Sequence, residues 1–481
     1  MPSLSSPPLH LAAVDLGATS GRVILGRWAR NKLTLTEVHR FPNAFVSIGP
    51  NDYWNVAGLW GEITTGLNKA AAALPRGAKL DAVGVDTWGV DYALVNDAGR
   101  LVYPTHAYRD ARTQAGLKRL SRTRAAYDRI YAATGIPAVF YNSSFQLEET
   151  VTSCPAIEDL ATHCLFLPDY FNFLLSGRMA NEISIASTTQ LLDVNSCDWS
   201  RAALDHFKVP ATWLSQPVLA DTKLGRVRSL ESIKGAQVVA VPGHDTACAY
   251  DAMPADPAGG DLFLSSGTWS LVGFESDKPL LGPAALAARV ANERTGRGGY
   301  RPLTNVIGLW LLEGLMKSFP DRPKNDQAWA TLIKAAEKLP APATLLDVTD
   351  PSFANPPSMR AAIDAQLKKR KVKAPRDLVA YTRLICDSLG QGHADAMRAF
   401  ENLSGKTFKR ILIVGGGSKN RLLCQATANA AKVPVVSFTL EGTAVGNMAS
   451  QLVALKAVKD LATFRKLLGK TLDQTVYQPA A

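Results

Sequence analysis

Short apolar runs that end in small or acidic residues recur along the chain and predict strands followed by loops. The run 11–14 ends at Asp15, and a returning apolar strand begins after a turn of small residues at 17–21. Short runs of this kind are typical of strands, whereas a period of 3.6 residues is typical of helices. Strands are therefore predicted at 11–14, 22–26, 33–39, 82–85 and 238–241, and an amphipathic helix at 55–74.

The second half of the chain repeats this design. A strand at 261–264 and a small-residue turn at 265–268 lead into a returning strand at 269–274. Later, a strand at 410–414 ends in three glycines and is followed by a predicted helix at 420–432. Because strands alternate with helices, the pattern indicates an α/β fold.

Two related halves are the interpretation we favour for this repetition, because its period is far longer than that of a solenoid. The alternative is two unrelated α/β domains that share hairpins. Pro254, Pro257, Gly259 and Gly260 cluster between the halves. The prediction is therefore one domain at 1–253 and a second at 254–481.

The composition is that of a globular protein. Of the 481 residues, 47% are hydrophobic and 20% charged, which is unlike the charge-rich profile of disordered chains. No apolar run approaches the roughly 20 residues that cross a bilayer, and no secretory signal is visible. The six cysteines contain no C-x-x-C pair, so we expect reduced thiols in a cytoplasmic protein.

The net charge of +11 is spread along the chain, without a basic tail or arm. One cluster, at 368–373, has the composition of a nuclear import signal. We favour the alternative that it is the exposed end of a helix. Since no nucleic-acid-binding motif accompanies the charge, neither a nucleic-acid nor a membrane partner is expected.

The two small-residue turns, 17–21 and 265–268, are candidates for phosphate binding. Phosphate recognition needs converging backbone N–H groups, which small residues leave accessible. A carboxylate beside a phosphate is unfavourable unless a cation lies between them, so Asp15 suggests Mg²⁺, bound directly or through water. Arg22 could offset phosphoryl charge. The alternative for each turn is an ordinary hairpin.

Further acidic residues follow predicted strands, as is typical of sites in open α/β sheets. Asp245 comes after the strand at 238–241, Asp86 and Asp91 after the strand at 82–85, and Asp110 after an apolar segment. Asp245 could also be a helix N-cap, since a helical stretch follows it, and the two roles are compatible.

Nine segments, in order, resemble the FGGY family of sugar kinases, which shares the fold of the actin and hexokinase ATPases. They are VDLGATSGR at 14–22, VDTWGVD at 85–91, YRD at 108–110, LPDYF at 167–171, STTQL at 187–191, GHDTA at 243–247, LSSGTWS at 264–270, NVIGLW at 305–310 and VGGG at 414–417. The resemblance implies two ribonuclease H-like (actin-like ATPase) domains with mixed sheets flanked by helices. It also implies an active-site cleft between a sugar-binding N-terminal domain and a nucleotide-binding C-terminal domain.

The resemblance also implies roles for individual residues, with ATP and Mg²⁺ as cofactors. Asp245 would be the catalytic base and Asp15 the metal ligand. The residues implied to contact ATP are Ala18, Thr19, Ser20, Gly21, Arg22, Thr268, Glu313 and Gly416. Those implied to contact a ketose are Gly89, His244, Asp245, Thr246 and Asn305. Glu313 departs from the family, which more often carries Gln there, so this carboxylate is expected to face a ribose hydroxyl or to point away.

Within the family, the motifs are most similar to those of enzymes that phosphorylate L-rhamnulose. The implied reaction is ATP-dependent phosphorylation of that ketose at O1, in L-rhamnose breakdown. Alternatives are another ketose or polyol kinase, for L-fuculose or L-xylulose, and a non-catalytic actin-like nucleotide switch. A pocket for the C6 methyl group of rhamnulose needs an apolar wall, for which Trp88, Phe140 and Tyr141 are candidates.

Overall fold

The computed structural model describes residues 7–438 and 441–480 and divides into two compact units. The first contains the described residues up to Pro254 together with Glu275–Pro302 and Gly442–Thr471. The second contains Ala255–Phe274 and the described residues of Leu303–Glu441 and Leu472–Ala481. Each unit is thus assembled from separate chain segments. The division at residues 253 and 254 stays a prediction.

Strands and helices alternate along most of the chain, as the α/β pattern predicts. The strands are β1 Leu9–Leu16, β2 Ser20–Ala29, β3 Lys32–Pro42, β4 Phe45–Ile48, β5 Asn51–Trp54, β6 Ala82–Thr87, β7 Tyr92–Val95, β8 His163–Phe166, β9 Thr222–Arg226, β10 Gln237–Ala240, β11 Asp261–Ser266, β12 Trp269–Gly273, β13 Ala291–Arg294, β14 Tyr300–Ile307, β15 Arg410–Val414, β16 Val435–Phe438 and β17 Gln474–Tyr477. The helices are α1 Val56–Ala72, α2 Gln114–Ser121, α3 Arg124–Thr134, α4 Ser143–Ser153, α5 Ile157–Leu160, α6 Leu167–Ser176, α7 Ile183–Ala186, α8 Arg201–Phe207, α9 Asp245–Asp251, α10 Pro283–Ala287, α11 Trp310–Met316, α12 Asp326–Glu337, α13 Met359–Lys369, α14 Leu378–Ser404, α15 Arg421–Ala431, α16 Gly442–Ala454 and α17 Leu461–Leu468. Single 3₁₀ turns lie at Ala111–Thr113, Ser187–Thr189, Ala211–Trp213, Glu231–Ile233, Pro351–Phe353 and Gly416–Lys419.

The first unit is built on a mixed sheet with the strand order β3-β2-β1-β6-β10-β9. β1 is antiparallel to β2 and parallel to β6, which is in turn parallel to β10. A Cβ built on Gly66 of α1 would lie 2.3 Å from Val23, and one on Gly26 would lie 2.2 Å from Met448 of α16. Because residues 23 and 26 point to opposite faces of β2, α1 and α16 cover the two faces of the sheet.

The sheet of the second unit has the order β14-β12-β11-β15-β16-β17. β12 is antiparallel to both β14 and β11, β11 and β15 and β16 run parallel, and β17 is antiparallel. Strand order and directions are therefore those of the first unit's sheet. The expected α/β class, with mixed sheets flanked by helices, is confirmed.

The longest helix of the second unit, α14, is joined to the sheet by a buried histidine. His393 contacts the Ser270 hydroxyl of β12 through Nε2 at 2.9 Å and the Thr427 hydroxyl of α15 through Nδ1 at 3.0 Å. Burial lowers the pKa of His393 to about 4, so the ring stays neutral at physiological pH. The histidine therefore fixes helix, strand and neighbouring helix together.

The predicted helix at 55–74 is confirmed as α1. The Asn55 side chain accepts a hydrogen bond from the N–H of Gly58 at 2.9 Å, which caps the first turn. Leu59, Ile63 and Leu67, spaced four residues apart, are buried on one face.

The basic cluster at 368–373 lies at the exposed end of α13, as we favoured. In the described part of the chain, no helix combines the length and the apolar character that a membrane crossing requires.

Candidate active site

Acidic residues and a histidine come together at one edge of the first unit's sheet. Asp15 of β1 and Asp86 of β6 are register partners at the carboxyl ends of parallel strands. His244, after β10, forms a parallel bridge with Thr87, whose N–H donates to the Gly243 carbonyl at 2.9 Å. This edge is where open α/β sheets bind ligands.

Asp15 is buried and forms an ion pair with Arg22 across the first hairpin. The guanidinium donates to Oδ2 of Asp15 from Nε at 2.8 Å and from Nη2 at 2.7 Å. The two residues are register partners on β1 and β2, so their side chains point to the same face. Arg22, Asp15 and Asp86 thus form one row across three strands.

Asp86 has no exposed surface, and its pKa is raised well above the usual range. Burial is the main cause, and the carboxylates of Asp15 and Asp245 add to it. A hydrogen bond from the Asn447 amide to Oδ2 at 2.7 Å acts in the opposite direction. Asp86 Oδ1 has no hydrogen-bond partner among the described residues. The closeness of these carboxyl groups therefore favours binding of a proton or a cation at Asp86.

Asp245 begins α9 and keeps 31% of its side chain exposed. Its Oδ1 accepts a hydrogen bond from the Thr246 hydroxyl at 3.0 Å and lies 3.4 Å from His244 Nε2. The N-cap interpretation of Asp245 is wrong, because the N-cap position belongs to His244, whose side chain makes no capping bond. Asp245 is instead an accessible carboxylate at the sheet edge.

The first hairpin presents backbone N–H groups to solvent. Gly17 N–H donates to the Ser20 carbonyl at 2.9 Å, closing the turn. Within the described residues, the N–H groups of Ala18 and Thr19 donate to no protein acceptor. Gly21 packs so closely that a Cβ there would lie 2.2 Å from the Phe41 ring. The turn is thus tightly packed at Gly21, and its outer N–H groups can bind an anion.

The second hairpin of the same design lies in the second unit. Gly267 N–H donates to the Trp269 carbonyl at 2.9 Å, and Thr268 is exposed at the tip. The Thr268 carbonyl accepts from the N–H groups of Gly308 at 3.2 Å and Trp310 at 3.1 Å, so the hairpin holds the start of α11.

A glycine loop lies against this second hairpin. Gly415 has a left-handed backbone with φ of 86°, and a Cβ on Gly417 would lie 2.0 Å from Ser266 Oγ. Gly416 is exposed, and a Cβ there would meet only Leu309, at 3.8 Å. The structure therefore brings Thr268 and Gly416 to one surface of the second unit, where backbone is accessible to a nucleotide.

Glu313 lies one turn along α11, where its N–H donates to the Leu309 carbonyl at 2.8 Å. Its side chain is exposed, and partial burial raises its pKa against the effect of Lys317. Asn305 is an exposed residue of β14, paired with Leu271 of β12.

Gly89 precedes a buried cluster that surrounds Asp91. The Asp91 carboxylate accepts hydrogen bonds through Oδ2 from the indole N–H groups of Trp54 at 2.6 Å and Trp88 at 2.8 Å. Gln146 donates to Oδ1 at 3.0 Å. Asp91 is therefore a structural group, and so is Asp110, which caps a 3₁₀ turn by accepting from Arg112 N–H at 2.8 Å.

The candidate apolar wall is only partly accessible. Trp88 is buried, and its ring centre lies 4.4 Å from that of Trp54 with the two rings tilted by 42°. Tyr141 and Phe140 are half-buried and meet edge to face at 5.3 Å. Of the three candidates, Phe140 and Tyr141 are thus the ones accessible to a methyl group.

Two residues that support the site were not expected from the sequence. Glu182 accepts a hydrogen bond from Gly243 N–H at 2.8 Å and holds the loop that carries His244. Asn447 reaches Asp86 from α16, 361 residues away. No local sequence pattern identifies either residue, because each acts through a partner far along the chain.

Asp15 and Asp86 supply oxygen atoms, the ligand type that Mg²⁺ prefers. Among the described residues, however, no group of three or more His, Cys, Asp or Glu side chains could hold a metal. Mg²⁺ usually keeps several waters and shares one or two carboxylates with substrate phosphates. The residues therefore fit an ion that a nucleotide would also hold, and Asp86 Oδ1, which has no partner among the described residues, would be available to such an ion.

Both halves of the chain match models of one protein family. Residues 10–250 match the N-terminal domain of the FGGY family of carbohydrate kinases, and residues 262–455 match its C-terminal domain.

Curated relatives are similar over nearly the whole chain. A protein named rhamnulokinase from Pectobacterium carotovorum is 38% identical over 476 residues, covering 98% of this chain and 93% of its own. A rhamnulokinase from Klebsiella pneumoniae is 37% identical, covering 98% of this chain and 94% of its own.

Solved structures of carbohydrate kinases share the fold at low sequence identity. A gluconate kinase from Lactobacillus acidophilus matches with a TM-score of 0.80 at 15% identity, covering 98% of this chain and 94% of that one. A xylulose kinase from Rhodospirillum rubrum matches with a TM-score of 0.79 at 16% identity and the same coverage. A glycerol kinase from Plasmodium falciparum, solved with ADP, matches with a TM-score of 0.78 at 14% identity, again covering 98% and 94%.

Proposed function

Because the chain belongs to the FGGY family of carbohydrate kinases, we propose that it transfers the γ-phosphoryl group of ATP to O1 of L-rhamnulose, giving L-rhamnulose 1-phosphate and ADP. The observation that supports L-rhamnulose as the substrate is the 38% identity to a rhamnulokinase over 98% of the chain. The solved structures support the fold alone, at identities of 14 to 16%.

Asp245 is the proposed general base. As the O1 oxygen forms its bond to the γ-phosphorus, its proton passes to Asp245, and the bond from the γ-phosphorus to the bridging oxygen breaks to release ADP. The support is positional: the carboxylate is partly exposed at the carboxyl edge of the sheet, and Thr246 already donates to Oδ1, which leaves Oδ2 for the proton. His244, Thr246, Gly89 and Asn305 are the proposed ketose contacts.

The phosphate groups are proposed to bind at the small-residue turns. In the first unit, the N–H groups of Ala18 and Thr19, with Ser20 and Gly21, form the concave turn, and Arg22 supplies a positive charge. In the second unit, the proposed nucleotide contacts are Thr268 and Gly416, with Glu313 on the adjacent helix.

Mg²⁺ is proposed to arrive with ATP, and Asp15 would hold it. When bound, the ion neutralises charge on the phosphate oxygens in the transition state. The ion pair with Arg22 fixes the position of the Asp15 carboxylate at the end of β1.

The base is tested by Asp245→Asn, which keeps shape and hydrogen bonding but cannot accept the proton. We expect kcat to fall by about 10²–10⁴-fold, with nucleotide binding retained. Asp205→Asn is the matched control, because Asp205 lies on the exposed surface of α8 and pairs only with Arg201 among the described residues. Near-normal kcat in Asp245→Asn would remove Asp245 from this role.

The substrate is tested by comparing kcat/KM for L-rhamnulose, L-fuculose and L-xylulose in an assay coupled to ADP release. L-rhamnulose is expected to give the highest value. A higher value for another ketose would reassign the substrate within the family, and ATP hydrolysis indifferent to every sugar would indicate a nucleotide switch instead.

We place this reaction in L-rhamnose breakdown in the cytoplasm. All six cysteines are free thiols, four of them buried, which suits a reducing compartment.

A further inference from the structure

The imidazole of His244 is held on its Nδ1 side by two charged residues of the segment Glu275–Pro302, which belongs to the first unit. Nδ1 lies 2.9 Å from Oε2 of Glu293 on β13 and 2.8 Å from Nη2 of Arg301 on β14. Arg301 also contacts the Glu293 carboxylate directly. The Arg301 side chain has no exposed surface, and that of Glu293 is 11% exposed.

The hydrogen-bonding chemistry of Glu293 and Arg301 determines the orientation of the His244 ring. A guanidinium only donates hydrogen bonds, and an ionised carboxylate only accepts them. If Nδ1 carries a proton, it donates to Glu293, and if it does not, it accepts from Arg301. In both cases Nδ1 is occupied by protein, so Nε2 points the other way, where it lies 3.4 Å from Asp245 Oδ1.

Glu293 is maintained as an anion in this position. Burial alone would raise its pKa, but the charges of Arg301 and His244 outweigh burial and hold the pKa below its ordinary value. Arg301 is in turn packed with its guanidinium 5.3 Å from the centre of the Tyr250 ring. The pair is therefore rigid and charged at the pH at which an ATP-dependent kinase works.

A buried ion pair is poor evidence for a stabilising role, because desolvation offsets most of the attraction between the charges. Its contact with a proposed substrate-binding histidine points to a different role. We propose that Glu293 and Arg301 are positioning residues that fix the His244 ring so that Nε2 faces Asp245 and the ketose, an inference that rests on the proposed function.

A double-mutant cycle tests whether Glu293 acts through His244. We expect Glu293→Gln, which keeps the shape of the side chain and removes its charge, to lower kcat/KM for L-rhamnulose by about 10–100-fold, since a misoriented catalytic contact costs up to that much. KM for ATP should stay near that of the wild type. In a His244→Ala background the same substitution should change kcat/KM by less than about 2-fold, because the group it orients is gone. Losses that multiply in the double variant would overturn the inference.

Glu275→Gln is the matched control within the same unit. Glu275 pairs with Arg465 through two hydrogen bonds, at 2.6 and 3.0 Å. We expect this variant to lower the unfolding temperature without changing kcat/KM. A loss of kcat/KM equal to that of Glu293→Gln would show a general effect of breaking an ion pair in this unit and would also overturn the inference.

Two further measurements keep the outcome interpretable. If Glu293→Gln does not fold, Glu293→Asp keeps the charge but draws the carboxylate back from Nδ1, and the same coupling to His244→Ala is expected. A wild-type protein that phosphorylates none of the ketoses would overturn the proposed function, whereas an active wild type with uncoupled variants would overturn only the positioning role.

Discussion

Replacing Asp91 with asparagine should change how the stability of the first unit depends on pH. The Asp91 carboxyl group has no exposed surface and accepts hydrogen bonds from two indole groups and from Gln146. Burial raises its pKa from 3.8 to about 6, although these hydrogen bonds act in the opposite direction. Asparagine has nearly the same shape and does not titrate.

The sign of this pH dependence follows from which state, folded or unfolded, binds the Asp91 proton more tightly. The folded protein holds the Asp91 proton up to about pH 6, whereas the unfolded chain releases it near pH 3.8. The stabilisation is therefore fully present below pH 3.8 and is lost as the pH rises through 6. A shift of this size corresponds to about 3 kcal/mol over the whole range, of which about 1.4 kcal/mol lies between pH 5 and pH 7.5.

The assay is urea unfolding of the wild type and Asp91→Asn, followed by tryptophan fluorescence at pH 5 and pH 7.5. The difference in free energy of unfolding between the two proteins should favour the wild type more at pH 5, by about 1–2 kcal/mol. Subtracting the two free energies of unfolding removes the contribution of titratable groups that both proteins share. One such group is Glu182, whose pKa is raised by burial to about 7. The same comparison with Asp205→Asn should show no such change. A difference that is flat with pH, or that favours the wild type more at pH 7.5, would refute the desolvation argument.

Three other outcomes are expected. Gly417→Ala should lower the free energy of unfolding by about 1–3 kcal/mol and weaken ATP binding, because its Cβ would lie 2.0 Å from Ser266 Oγ. In the control Gly416→Ala, the Cβ has no neighbour nearer than 3.8 Å, so stability should be unchanged. Equal effects of the two substitutions in thermal unfolding would contradict this packing. Asp261→Asn should lower the free energy of unfolding by about 1–3 kcal/mol, since it weakens two hydrogen bonds from Arg410 to a buried carboxylate. Urea unfolding that matches the wild type would show that the Asp261–Arg410 ion pair does not stabilise the fold. Chelation of divalent cations should abolish phosphoryl transfer and leave the unfolding temperature unchanged, because among the described residues no cluster holds a metal by itself; a large drop in that temperature would point to a structural metal.

Local elements of this protein follow from neighbouring residues in the chain. The apolar runs that became β1, β6, β11 and β15 were predictable, because a run of a few apolar residues bounded by turns has few alternatives to a buried strand. The helix α1 was predictable for a similar reason, since its cap, Asn55, and its buried face lie within the same 18 residues. The strand–turn–strand design, which occurs twice in the sequence, was also predictable, and it indicated the α/β class.

Contacts between distant segments were decided by the tertiary structure. From the sequence, Asp245 was open to a catalytic and an N-cap interpretation, and only the placement of His244 at the N-cap of α9 excluded the capping role. Arg22 was expected near phosphate from the sequence, which stays a prediction, whereas its ion pair with Asp15 is known only from the hairpin register.

The partners of the site residues could not be predicted from the sequence either. Asn447 reaches Asp86 across 361 residues of sequence, and Glu293 reaches His244 across 49. The charge state of a buried carboxyl group depends on which groups surround it in space, through burial and neighbouring charge. Sequence patterns describe only the neighbours along the chain, so the electrostatics of the site emerge when the sheet brings these segments together.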